Sequence, residues 1–150
     1  IGLLIPGFGY LVTSGQMNMD GLLFILPLTL YGLAFILNVE IPDMESDRLG
    51  NKRTWVARKG RGFGFIVIAA SFLLATLYFL CFPWLTSRTY PLDFPILGIL
   101  SLIPLAAGCI GLLRRPVEKQ QAIQVVNGIM IAIAAFCFFV DGYFIYLVFR

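Results

Sequence analysis

The sequence contains no histidine and few charged residues, and both shortages narrow the functions open to it. Only 13% of its 150 residues are charged, about half the share of a typical soluble domain. Hydrophobic residues make up 59%, and the mean hydropathy is +0.90. Without histidine, imidazole base catalysis and histidine ligation of a metal or haem are excluded for this chain. A water-soluble domain of this length has too little interior for so much apolar surface, so we expect a membrane protein.

Cysteine is scarce as well, which bears on metal binding through sulfur. Cys81, Cys109 and Cys137 are the three cysteines, and each lies in an apolar stretch far from the others. Thiolate metal sites use closely paired cysteines, and this spacing does not provide them. The three side chains are therefore predicted to be buried thiols.

Four uncharged runs are long enough to cross a membrane. About 20 helical residues span a hydrocarbon core about 30 Å thick, and runs of this size occur at 22–39, 62–85, 94–113 and 122–140. They are continuously apolar and do not alternate, which favours helices over barrel strands. The apolar stretch 1–12 is predicted to be the end of a further, incomplete span. The expected fold is an all-α transmembrane helical bundle of about five helices.

The basic residues indicate how these spans are oriented. If successive spans cross in alternate directions, nine of the 11 basic residues share one side, and only Arg88 and Arg150 lie on the other. Because positive residues concentrate on the cytoplasmic side, we expect the loops 40–61 and 114–119 there and the C-terminus opposite. Membrane orientation and anionic lipid headgroups account for the net charge of +3, so membrane lipid is an expected partner and nucleic acid is not.

Half of the acidic residues are concentrated where the first run ends. At 100° per residue, Glu40, Asp43 and Asp47 lie on one face of a helix, while Glu45 points to the opposite side. Pro42 is expected to kink or end that helix, because it lacks a backbone donor and disfavours a helical residue before it. The sequence therefore predicts a group of three carboxylates at a membrane boundary.

Clustered carboxylates repel one another, and protonation, basic neighbours or a bound cation would offset that repulsion. Magnesium prefers hard oxygen ligands and is commonly held by one or two carboxylates while it bridges phosphates. The candidate metal ligands are thus Glu40, Asp43 and Asp47, with Asp43 and Asp47 the candidate catalytic residues. Basic side chains that follow at once could contact the phosphate oxygens. These candidate substrate-binding residues are Arg48, Lys52, Arg53 and Arg58.

The order of these residues resembles a known motif. Glu40-x-x-Asp43-x-x-x-Asp47, followed by Gly50, Lys52, Arg53 and Thr54, is similar to the second aspartate-rich motif of the UbiA superfamily of intramembrane prenyltransferases. That motif commonly reads Asp-x-x-Asp-x-x-x-Asp with a Gly-Lys-x-Thr element nearby. Here glutamate takes the first position, where its carboxylate reaches one methylene further, and Asn51 is inserted before Lys52.

The resemblance implies a fold and a reaction. UbiA-type proteins have nine transmembrane helices and two such motifs, so residues 1–150 would form the C-terminal part of one membrane domain. The implied activity is transfer of a polyprenyl group from an allylic diphosphate to an aromatic or lipid acceptor, with magnesium assisting diphosphate departure. Asp43 and Asp47 would hold the metal, and Lys52 and Arg53 the diphosphate. Without the first motif, this polypeptide is expected to be inactive alone.

Two other functions remain open at this stage. A membrane cation transporter could also use clustered acids, although it would normally place ionisable groups within its spans. A non-catalytic membrane assembly subunit could have the same topology, but would not need the Gly-x-Lys-Arg-Thr segment behind the acids.

Overall fold

The computed structural model describes residues 19–85 and 93–149, and these ranges contain helices and no strand. The helices are α1 (Met19–Leu49), α2 (Trp55–Lys59), α3 (Arg61–Leu85), α4 (Phe94–Leu100), α5 (Leu102–Arg114) and α6 (Lys119–Phe149). Four of the resulting segments are long and apolar enough to cross a membrane: α1, α3, α4 with α5, and α6. The predicted all-α membrane bundle is confirmed, while the run 1–12 lies outside the described residues.

Helix α1 passes through Pro27 although proline removes a backbone donor. The missing N–H at Pro27 leaves the carbonyl of Leu23 without its usual helical partner. The hydroxyl of Tyr78 on α3 donates to that carbonyl over 2.7 Å. A neighbouring helix thus satisfies the freed backbone group, which is how membrane helices tolerate proline.

The third span is interrupted at Ser101, which separates α4 from α5. Pro104, three residues later, cannot donate to the carbonyl of Leu100, and its ring crowds that turn. The buried Ser101 hydroxyl lies 2.6 Å from the carbonyl oxygen of Gly98 and 2.9 Å from Oγ1 of Thr76 on α3. Ser101 keeps helical backbone angles and its helical hydrogen bonds, so the lost bond at Pro104 leaves the span locally irregular, and the polar contacts hold Ser101 within the bundle.

Helix α3 lies at the centre of the fold, with α1, α4 and α5 packed around it. Its phenylalanines fill much of the core, which supports packing as the role of these rings; the buried ones are Phe65, Phe72, Phe79 and Phe82. A Cβ atom added at Gly108 of α5 would lie 2.7 Å from the ring of Phe72, so this glycine permits the close approach of α5 to α3. Asn38, fully buried on α1, donates to the carbonyl of Val126 on α6 over 3.2 Å.

The prediction for the cysteines is wrong. Cys81, Cys109 and Cys137 are all exposed on outward faces of their helices. The physical reason is that both the inner and the lipid-facing surfaces of a membrane helix are apolar. Membership of an apolar run therefore does not indicate burial.

Candidate functional site

The acidic residues lie on the last turns of α1, because this helix continues through Pro42 to Leu49. The helix does not end at the proline as the sequence allowed. The carboxylates therefore keep helical spacing, and Asp43 and Asp47 follow each other one turn apart on one face. The chain then turns back through residues 50–54, so that α2 packs against the end of α1.

Asp47 is the carboxylate around which this turn is built. It is 5% exposed, its Oδ1 lies 3.0 Å from Nζ of Lys52, and its Oδ2 accepts a hydrogen bond from the hydroxyl of Thr54 over 3.3 Å. The hydrogen bond to Asp47, assisted by the negative charges of Asp47 and Asp43, raises the pKa of Lys52. A candidate metal ligand and a candidate substrate-binding residue are thus in direct contact here as an ion pair.

Glu40 makes a contact that the sequence did not predict. Its Oε2 accepts a hydrogen bond from the backbone N–H of Val56 over 3.3 Å. The hydroxyl of Thr54 accepts from the N–H of Ala57 over 3.2 Å, and Thr54 is the N-cap of α2. Glu40 and Thr54 therefore both satisfy free donors at the start of this short helix.

The predicted three-carboxylate group does not assemble within residues 19–85 and 93–149. No three Asp, Glu, Cys or His side chains in that part of the chain lie close enough together to hold a metal ion. Asp43, which is exposed, and Asp47 remain as neighbouring carboxylates. This pair fits the chemistry of magnesium, which takes one or two carboxylates and completes its shell with water and phosphate oxygens.

The four basic residues proposed to contact phosphate lie in different surroundings. Lys52 pairs with Asp47, and its side chain is still 69% exposed; Arg53 is exposed beside it. Arg48 donates from Nε to the carbonyl of Ala57 over 2.7 Å and so braces α2 against α1. Arg58 lines a groove on the outer side of α2.

That groove has a volume of about 310 Å³ and is formed by Trp55, Arg58, Lys59 and Phe63. The ammonium of Lys59 lies 4.5 Å from the centre of the Phe63 ring, within the range of a cation–π contact. The Trp55 and Phe63 rings approach edge to face, with their centres 6.4 Å apart. Two positive charges and two aromatic rings are thus collected at the start of the α3 span.

Arg61 is a structural residue that sequence reasoning missed. It is 7% exposed and donates to the carbonyl of Ile41 over 3.3 Å, to the carbonyl of Val117 over 2.8 Å, and to Oε1 of Glu45. Glu45 pairs with Arg61 while Asp47 pairs with Lys52, which agrees with the different directions predicted for these two carboxylates. The only sequence signal was a charged residue between two glycines at the start of an apolar run.

These contacts put the two basic connections at the same end of the bundle. Arg61 joins the end of α1, the start of α3 and the connection between α5 and α6 through Val117. Asp43, Asp47 and Lys52 therefore lie at a membrane boundary that is braced on several sides. Comparisons with protein family models, curated proteins and solved structures gave no match to this chain.

Proposed function

We propose that this chain is the C-terminal part of an intramembrane prenyltransferase that resembles the UbiA superfamily. Its reaction would move a polyprenyl group from an allylic diphosphate to an aromatic or lipid acceptor. The observation that carries the proposal is the pairing of Asp47 with Lys52 beside the exposed Asp43, at the end of apolar spanning helices. By the distribution of basic residues, we assign this end to the cytoplasmic side.

Each residue of the site has a separate task in this proposal. Asp43 and Asp47 offer carboxylate oxygens one turn apart, and Thr54 and Lys52 fix the orientation of the Asp47 side chain. Magnesium bound there would neutralise negative charge on the diphosphate and so assist its departure. Lys52 and Arg53 contact the diphosphate oxygens. The carbon–oxygen bond breaks with its electron pair leaving on the diphosphate, the acceptor forms the new bond, and the acceptor releases a proton.

The arrangement of buried charge favours this proposal over a cation transporter. In the described residues, the buried charged side chains are Asp47 and Arg61, and both lie at the same end of the bundle. The buried polar groups deeper in the spans are neutral, among them Asn38, Thr76 and Ser101. A transport path would instead place ionisable groups along the spans.

The sharpest test uses Asp43→Asn in the full-length protein. Asp43 is exposed, so the substitution removes a charge without disturbing the core. We expect prenyl transfer to fall roughly 100- to 1000-fold, the usual effect of removing one group that stabilises charge in the transition state. The magnesium concentration for half-maximal activity should rise as well. Glu118→Gln, an exposed acid in the other basic connection, is the matched control.

A second variant separates a two-carboxylate site from the three-carboxylate site predicted from sequence. Glu40→Gln keeps an oxygen that can accept from the N–H of Val56, so its activity and magnesium dependence should stay close to those of the unaltered protein. A 100-fold loss for this variant would return Glu40 to the set of metal ligands. Unchanged activity and magnesium dependence in Asp43→Asn would refute the proposed function itself.

A further inference from the structure

The groove beside α2 combines basic and aromatic side chains, and we propose that it binds the headgroup of an anionic phospholipid. It is lined by two basic residues, Arg58 and Lys59, and by two aromatic residues, Trp55 and Phe63. Two cations beside two amphipathic or apolar rings match a lipid, whose phosphate is charged and whose glycerol and acyl parts are not. This proposal depends on membrane insertion of α3 and not on the proposed enzymatic activity.

The position of the groove places it at the depth of lipid headgroups. Lys59 ends α2, Gly60 turns the chain, and α3 then enters its apolar span. Gly60 has a φ of 87°, a left-handed conformation that favours glycine, and the turn there brings Lys59 over the ring of Phe63 in the first turn of the span. Trp55 is 53% exposed, as expected of a tryptophan at a membrane interface.

The surface below the groove continues in a form that suits an acyl chain. Side chains three and four residues apart share one face of a helix, and on α3 such a series leads from Phe63 along the span. After Phe63, its members are exposed and apolar: Ile66, Ala70, Leu73 and Leu77. A lipid with its phosphate between the two cations could therefore lay a chain along this face without leaving the hydrocarbon.

Charge complementarity decides which lipid is bound. Contact of a phosphate with Arg58 and Lys59 is favourable for any phospholipid. A zwitterionic headgroup also carries a positive group, which the two basic side chains repel, whereas an anionic headgroup carries no such group. A basic residue near an anionic membrane surface strengthens binding about fivefold. We therefore expect an anionic lipid to be enriched at the groove roughly five- to 25-fold over phosphatidylcholine. The cation–π contact holds the ammonium of Lys59 over the Phe63 ring, so part of this site is already formed.

Fluorescence quenching of Trp55 tests the proposal directly. Trp84 is the other tryptophan of this chain, and it is replaced by phenylalanine together with any tryptophan elsewhere in the full-length protein, so that Trp55 is the sole reporter. The full-length protein is placed in phosphatidylcholine nanodiscs that contain a minor share of phosphatidylglycerol brominated near the top of its acyl chains. Brominated phosphatidylcholine at the same share is the reference. Quenching by the anionic lipid should exceed that of the reference, and Arg58→Gln with Lys59→Gln should abolish the excess.

The controls distinguish this site from a general attraction to positive charge. Arg114→Gln with Arg115→Gln removes the same charge from the other basic connection at this end of the bundle, and should leave quenching of Trp55 unchanged. Circular dichroism verifies that each variant keeps its helices. Equal quenching by the two lipids, no quenching by either, or an excess that survives loss of Arg58 and Lys59 would overturn the proposal. Displacement of the lipid by magnesium and geranyl diphosphate would also overturn it, because the groove would then belong to the diphosphate site.

Discussion

Replacing Arg61 with methionine should destabilise the bundle without removing an apolar contact. Methionine keeps the length of the side-chain stem but makes none of the hydrogen bonds to Ile41, Val117 and Glu45. A hydrogen bond that involves a charged group contributes about 1.5 to 3 kcal/mol, and removing one partner of a buried ion pair costs about 3 to 5 kcal/mol. The three contacts share one guanidinium, so their contributions do not add.

The partial exposure of Glu45 sets the size of the effect. The Glu45 side chain is 44% exposed, so water can hydrogen-bond to its carboxylate in place of Arg61. The carbonyls of Ile41 and Val117, in contrast, each lose the donor that Arg61 supplied. We therefore expect the lower end of the range, a loss of about 3 kcal/mol in the free energy of unfolding. This corresponds to a roughly 150-fold change in the ratio of folded to unfolded protein.

Unfolding of the purified protein in mixed micelles with an increasing share of dodecyl sulfate, followed by circular dichroism, measures this loss. Arg115→Met is the control, because Arg115 is exposed and donates from Nε only to the nearby carbonyl of Leu112 in the contacts described. It should change the unfolding free energy by no more than about 0.5 kcal/mol. Combining Arg61→Met with Glu45→Gln in a double-mutant cycle then isolates the ion pair. An Arg61→Met protein as stable as the Arg115→Met protein would refute the bracing role.

Two further predictions concern the packing of the spans and use the same unfolding assay. Gly108→Ala should destabilise the protein by about 1 to 3 kcal/mol, because the new methyl group overlaps an aromatic ring of α3. The control Gly128→Ala meets open space and should be neutral or slightly stabilising. Equal effects of the two substitutions would contradict the close approach of α5 to α3. Tyr78→Phe should cost about 1 to 3 kcal/mol, since the carbonyl of Leu23 loses its donor inside the bundle, and an unchanged midpoint would mean that this carbonyl has another partner.

The spans were predictable because a membrane core requires long uncharged runs. Such a run can be recognised from the local sequence alone, without knowledge of the helices that it contacts. The acidic end of α1 was predictable for the same reason, since charge cannot continue into the hydrocarbon. The pairing of Asp47 with Lys52 follows from their short separation and opposite charge.

What escaped prediction depends on contacts between distant residues. The link from Arg61 to Val117 crosses 56 positions, and nothing in either local sequence indicates it. The diversion of Glu40 to the N–H of Val56 depends on how α2 folds back, which composition does not reveal. The irregularity at Ser101 could not be predicted either, because Pro104 follows it in the sequence but a helix can pass through proline, as Pro27 shows.

The length of α1 has a consequence for any molecule that reaches its acidic end. With 31 residues this helix is about 46 Å long, longer than the roughly 30 Å of hydrocarbon it must cross. The uncharged run 22–39 accounts for about 27 Å of that length, so the ten residues that follow it extend beyond the hydrocarbon, and Asp43 and Asp47 lie on this extension. A compound with an oily tail and a charged end can meet them while its tail stays in its own leaflet, so it never has to be extracted into the aqueous phase.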